Sequence, residues 1–209
     1  MVETVVVDSF GSYITEGRKK FGKIVFVDID DTIFSTGARV RVRNVKTGKV
    51  RDLSPAEFNT WKPSDTEEPE FGEFRSGKIF KDTAKAIAPV MKIVKGHVKA
   101  GDGVVFLTAR AGFDDNAIVR SVFREHGIRM SGKNVFLELT GNLDSKISGV
   151  EPRKTYVVSK FIDRYQPERV EMYDDHRGNL TAYLALQGEF PEVSFGAYLV
   201  KNGKPRRVK

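Results

Sequence analysis

Two short apolar runs, each ending in a pair of carboxylates, constrain this chain more than any other feature. Ile24, Val25, Phe26 and Val27 lead into Asp28 and Asp30; Val170, Glu171, Met172 and Tyr173 lead into Asp174 and Asp175. A brief, almost unbroken apolar run reads as a strand buried on both faces. Acidic pairs so distant in sequence meet only in the fold, and a parallel sheet brings the carboxyl ends of separate strands to one edge. Four carboxylates gathered there repel one another and resist ionisation unless a cation sits among them. The chain has no cysteine and offers no histidine cluster, so an all-oxygen ligand set from Asp28, Asp30, Asp174 and Asp175 favours a hard ion such as Mg²⁺. Mg²⁺ held by a few carboxylates commonly serves a phosphate.

Between the two pairs lie the other groups that phosphate chemistry needs. The apolar run Val104 to Leu107 ends in Thr108, with Ala109 and Arg110 behind it, which puts a hydroxyl and main-chain N–H groups at a third strand end. Lys154 stands at the start of an expected helix over 155–165, where its ammonium can point into a crevice; Lys160 competes for that role but falls mid-helix. The strings FVDIDDTIF, VVFLTAR, a lysine and VEMYDD, in that order, resemble the haloacid dehalogenase (HAD) superfamily of phosphohydrolases over about residues 22–186. The segments LTARAGFDD, the GNL ahead of Lys154 and YDDHRGNL are most similar to phage-type HAD phosphatases and to the phosphatase module of polynucleotide kinase/phosphatase.

That resemblance implies a Rossmann-like α/β fold with a mainly parallel sheet, and Mg²⁺-dependent phosphomonoester hydrolysis through an aspartyl-phosphate. Asp28 is then the nucleophile, splitting hydrolysis into two easier steps. Asp30 is the general acid/base, and Thr32 supports the turn. Thr108 and Lys154 face the phosphoryl group, with Arg110 a second phosphate contact or a helix-capping cation, Asp174 the leading metal ligand and Asp175 binding metal directly or through water. Asp31 stands where many relatives have glycine, although the DIDDT form also occurs in HAD acid phosphatases. The expected substrate is a phosphorylated nucleic-acid end, as for a polynucleotide 3′-phosphatase. Alternatives are a 5′- or 3′-nucleotidase or acid phosphatase acting on mononucleotides, and a phosphate- or nucleic-acid-binding module without turnover.

At 209 residues and 40% hydrophobic content the chain suits one domain with an insertion over about 35–78, in the place of a small cap. There Val40, Val42 and Val45, Thr47-Gly48, Val50 and Leu53 read as a hairpin. Ser54-Pro55-Ala56-Glu57 has capping-box spacing, and the acidic run 65–70 ends the helix it opens. The aromatic residues Phe58, Trp61, Phe71, Phe74 and Phe80 form a mini-core or stack on bases. Further expectations are a strand at 4–7, a helix over 82–95 kinked or shortened by Pro89, a helix starting at Asp114 or Asp115 and stopping at Gly127, and a strand at 135–137.

A net charge of +7 suits an anionic partner. The densest basic segment, 201–209, reads as a solvated tail or a nonspecific phosphate contact. The start of the chain has no basic region followed by a long apolar stretch, so the expected location is the cytoplasm (the host's, for a phage-encoded protein), with no membrane partner and no oligomeric state implied. On that expectation the sequon Asn179-Leu180-Thr181 has no consequence.

Overall fold

Along the strand β1 (Lys23–Val27), side chains alternate between two covered faces. Ile24 and Phe26 pack with Val157, Phe161 and Ile162; Val25 and Val27 pack with Val90, Val94 and Phe123. All four strand residues are fully buried. A strand apolar on both sides requires helices on both sides, and a parallel sheet provides them through its crossovers. The structure is a computed structural model that describes residues 21–143 and 146–209. The strand expected at 4–7 lies outside those residues.

β1 sits between β7 (Gly103–Thr108) and β9 (Arg169–Asp174), with β8 (Val135–Leu139) beyond β7 and β10 (Ser194–Lys201) beyond β9. These five strands are parallel, and β11 (Lys204–Arg207) runs antiparallel along the outer edge of β10. Helices α3 (Ala88–Ala100) and α4 (Asn116–Glu125) cover one face, and α5 (Val150–Tyr165) and α6 (Arg177–Ala185) the other. The protein is therefore an α/β fold with a mostly parallel central sheet flanked by helices. The chain steps outward from β1 through β7 to β8, then crosses back to β9 on the opposite side. The reversal falls at β1, so the crevice of the sheet opens outside the carboxyl ends of β1, β7 and β9. No helix among the described residues is long and apolar enough to cross a membrane.

The insertion leaves and rejoins this layer through a two-stranded stalk, β2 (Phe34–Ser35) paired antiparallel with β6 (Lys85–Ala86). Its far boundary is therefore near Ala84, beyond the expected 78. It carries a three-stranded antiparallel sheet in the order β4 (Val50–Leu53), β3 (Val40–Asn44), β5 (Glu67–Glu70). Val40 and Val42 are buried under it, while Arg41 and Arg43 point outward and pair with Asp52 and Glu70. The expected hairpin turns through Gly48 at φ +70°, a conformation that glycine adopts without a Cβ clash. Ser54 and Glu57 exchange both hydrogen bonds of the capping box and open α1 (Pro55–Thr60).

Four expectations change. The acidic run forms the edge strand β5, because Arg43 and Arg51 offer its glutamates cross-strand partners at 2.8 Å and an edge position tolerates Pro69. The helix expected over 82–95 is two helices, α2 (Gly77–Thr83) and α3, separated by β6. Pro89 opens α3 instead of kinking it, since a first-turn residue has no intrahelical N–H partner to lose. The basic segment 201–209 is not a solvated tail: four of its residues form β11, which pairs with β10 from Tyr198 to Lys201.

Candidate active site

The main chain of Asp28 extends the ladder between β1 and β9, its N–H donating to the Tyr173 carbonyl at 3.0 Å. The side chain thereby projects from the carboxyl end of the sheet beside Asp174, the last residue of β9. The chain then turns sharply: Asp31 has φ +56°, and its N–H donates to the Phe34 carbonyl at 2.7 Å. Aspartate tolerates this left-handed conformation better than most side chains, which accounts for an acid at a position suited to glycine.

One ammonium joins the two strand ends. Lys154, on the first turns of α5 and 3% exposed, donates to Asp28 Oδ1 at 2.6 Å and to Asp174 Oδ2 at 2.8 Å. Its helix begins at Val150, five residues before the expected start, so Lys154 projects from inside the helix. Lys160 lies elsewhere, its ammonium 5.4 Å from the Tyr156 ring centroid. Asp174 is fully buried and held on every side. Its Oδ1 accepts from the His176 N–H at 2.8 Å, and Asn179 Nδ2 reaches both carboxylate oxygens at 2.9 and 3.0 Å. Asp175 is half-buried, with the Thr32 hydroxyl 3.4 Å from its Oδ1.

The charges do not balance locally. Asp28, Asp174 and Asp175 surround the single ammonium of Lys154. Burial is the main force pushing the Asp28 carboxyl well above the usual carboxylate range; Lys154 opposes the rise, while Asp174, Asp175 and Asp30 add to it. Burial also raises Asp175, to about 6, with help from Asp174. For Lys154, burial disfavours the charge, but Asp174 and Asp28 outweigh it and the amine stays protonated.

Thr108 ends β7, the neighbour of β1 opposite β9, and is buried. Its hydroxyl accepts the Arg110 N–H at 3.2 Å, and its carbonyl accepts the Thr140 hydroxyl at 3.1 Å. Arg110 does not face Lys154 or Asp28. Its guanidinium forks onto Asp30, with Nε 2.8 Å from Oδ2 and Nη2 2.7 Å from Oδ1, while Nη1 donates to the Phe74 carbonyl. Thr36 adds a hydroxyl donor to Asp30 Oδ1 at 2.8 Å. Asp28, Lys154 and Asp174 are thus brought into direct contact; Asp30 with Arg110 forms a second group; Thr108 and Asp175 flank them.

Among the described residues no three histidine, cysteine, aspartate or glutamate side chains are arranged to hold a metal ion. The donors that suit a divalent cation are the carboxylates of Asp28, Asp174 and Asp175, whose combined charge exceeds that of Lys154, together with a main-chain carbonyl near Asp30. The Asp30 carboxylate itself is taken up by Arg110 and Thr36.

Three contributors, Asn179, Thr140 and Gly141, had no separate reading in the sequence. Asn179 stood out only as part of a sequon, although its place on the first turn after Asp174 is the available signal. Thr140 and Gly141 support the loop after β7 from below. A Cβ on Gly141 would lie 2.6 Å from the Ala109 carbonyl oxygen and 2.7 Å from the Ala111 nitrogen. His176 contributes its N–H, while its imidazole points to Glu151, 3.9 Å away.

A cleft of about 500 Å³ opens beside this site, lined by Asp31, Ser35, Ile87, Pro89, Asn202 and Lys204. The turn between β10 and β11 therefore stands at the same edge as the carboxylates. Compared with protein-family models, curated proteins and solved structures, the chain matches none.

Proposed function

We propose that the protein is a Mg²⁺-dependent phosphomonoesterase of the HAD type, working through an aspartyl-phosphate on Asp28. The observation that carries this reading is the contact of Lys154 with both Asp28 and Asp174. Three remote segments meet at the carboxyl edge of a parallel sheet, with a strand-end threonine alongside, in the sequence order of that superfamily.

In this reading Asp28 attacks phosphorus as the ester oxygen leaves, and the phosphoryl group is transferred to its carboxylate. Asp30 gives a proton to the leaving oxygen and later takes one from the water that cleaves the aspartyl-phosphate. Lys154 supplies positive charge where phosphoryl oxygens gather, and Thr108 a hydroxyl donor. A carboxylate nucleophile must be ionised, and the crowding around Asp28 opposes that. The excess of carboxylates over cations is the reason the donor chemistry suits Mg²⁺, which Asp28, Asp174 or Asp175, and a carbonyl near Asp30 would hold. When bound, the ion neutralises that excess and polarises a phosphoryl oxygen.

The substrate we favour is a phosphorylated nucleic-acid end. Lys201, Lys204 and Arg206 are exposed around the turn that lines the cleft, and among the described residues no salt bridge engages them. The insertion is less suited to a polyanion, because Arg41, Arg43 and Arg51 are already paired with carboxylates. The test is phosphate release, in Mg²⁺ and in chelator, from sugar phosphates, mononucleotides and 3′- or 5′-phosphorylated oligonucleotides. Chelator-sensitive release, greatest from oligonucleotides, is expected; no release from any of them contradicts the reading.

A further inference from the structure

We propose that Arg110 is a positioning residue for Asp30, and that it ties this carboxylate to the insertion instead of holding phosphate. The inference rests on the phosphatase reading for the role of Asp30, and on geometry for the rest. Three of the five guanidinium N–H groups are used: Nε and Nη2 donate to the two oxygens of Asp30, and Nη1 to the carbonyl of Phe74. The Arg110 side chain is 2% exposed, and its guanidinium carbon lies 5.0, 5.3 and 5.0 Å from the ring centroids of Phe74, Phe80 and Phe113. An arginine boxed by three rings and held in a bidentate fork is directed at Asp30 and away from a phosphoryl group beside Thr108.

The fork also decides which oxygen of Asp30 can work. Oδ1 accepts from both Arg110 Nη2 and the Thr36 hydroxyl, whereas Oδ2 accepts from Arg110 Nε alone. Oδ2 therefore keeps a lone pair for the proton. In the first step that proton passes to the ester oxygen as its bond to phosphorus breaks and the bond from Asp28 forms. In the second a proton returns from the attacking water as the Asp28–phosphorus bond breaks. Two planar groups in a fork fix each other's orientation, which a lysine at position 110 would not do.

The third partner belongs to the insertion. Phe74 lies in the short 3-10 turn Gly72–Arg75, and the same seam is stitched by Asp114 N–H to the Arg75 carbonyl at 2.8 Å and by Gly77 N–H to Asp114 Oδ1 at 2.7 Å. Arg110 thus bridges the turn after β1, the loop after β7 and the insertion. The placement of the insertion is communicated to the proton-transfer group through one side chain.

The test compares full-length Arg110→Ala and Arg110→Lys with the wild-type protein on two esters. The leaving group of 4-nitrophenyl phosphate departs without a proton; that of glycerol phosphate needs one. Expected for Arg110→Ala is a ~10²-fold or larger fall in the single-turnover rate of alcohol release from the alkyl ester, a fall of less than ~10-fold in nitrophenol release from the aryl ester, and partial recovery of the alkyl rate with free guanidinium ion. Arg110→Lys should recover little. An equal fall in the two single-turnover release rates, or a loss confined to KM, overturns the assignment and makes Arg110 a phosphate ligand. If the wild-type protein cleaves neither ester nor any of the nucleotide and oligonucleotide substrates, the phosphatase reading fails, and a crystal structure grown with sulfate decides the remaining question. Asp30 in the fork supports the assignment; Arg110 on a sulfate beside Thr108 overturns it.

Discussion

Lys154 Nζ lies 2.6 Å from Asp28 Oδ1 across 126 residues of sequence, and the same ammonium holds Asp174. A lysine removed from water keeps its charge only with such partners, so this contact organises the whole edge of the sheet. Three further hydrogen bonds then fix Asp174 in place, one from the His176 N–H and two from Asn179 Nδ2.

Asn179 should accordingly matter for metal affinity. Removing a group that orients a ligating carboxylate typically changes metal affinity by ~10–100-fold. Asn179→Ala is expected to raise the Mg²⁺ concentration needed for half-maximal activity within that range, while kcat at saturating Mg²⁺ changes less. An unchanged Mg²⁺ titration would remove Asn179 from the site.

Gly141 sets the loop that carries Thr108 and Arg110. With a Cβ 2.6 Å from main-chain oxygen, Gly141→Ala has to displace either the loop or the segment after β8. Overpacking of this kind costs about 1–3 kcal/mol. A lower Tm together with at least ~10-fold lower kcat/KM is the expected result; a variant with wild-type activity and stability would show that the loop can yield without consequence.

Glu138 on β8 gives the fold a pH dependence independent of the carboxylate edge. It is buried, one of its oxygens has no hydrogen-bond partner, and burial pushes its carboxyl from 4.5 up to about 8 despite the attraction of Arg164. A carboxyl raised in the folded state favours folding while protonated. Its contribution is full below 4.5 and is lost as pH rises to about 8. Glu138→Gln should leave stability nearly unchanged at the acid end and raise it at the alkaline end by on the order of a few kcal/mol. Chemical denaturation at both ends of that window measures it, and parallel wild-type and variant curves would contradict it.

The basic hairpin turn makes a separable prediction about substrate. Deleting 201–209 would strip an edge strand from the sheet, so charge removal is the cleaner probe. Lys201→Ser with Lys204→Ser and Arg206→Ser should reduce the salt slope of oligonucleotide affinity by roughly 0.7 for each phosphate that the turn no longer neutralises. Hydrolysis of 4-nitrophenyl phosphate should be spared. Mononucleotides cleaved as efficiently as oligonucleotides at low salt, with no change in slope, would favour a nucleotidase.

What could be read in the sequence follows from how local the governing interactions are. β1, β7 and β9 were legible because continuous apolar runs buried on two faces admit few other folds, and the candidate site lies at their carboxyl ends. The Ser54 cap and the Gly48 turn were legible because each is decided within four residues. β5 and β11 were not, since an acidic run and a basic run become strands only when a neighbouring edge supplies partners. Pro89 was ambiguous for a related reason, as it breaks a helix interior but suits a first turn. The partner of Arg110 was hidden because Asp30 lies 80 residues away, so only the folded sheet edge brings the two together.

The central claim is that Asp28 is the nucleophile, and one measurement addresses it most directly: phosphate release by wild type and by Asp28→Asn in Mg²⁺, on samples shown by circular dichroism to share one fold. The wild-type protein should turn over a phosphomonoester and the variant should not, because an amide cannot serve as the anionic nucleophile. Equal turnover by the two proteins would contradict the account.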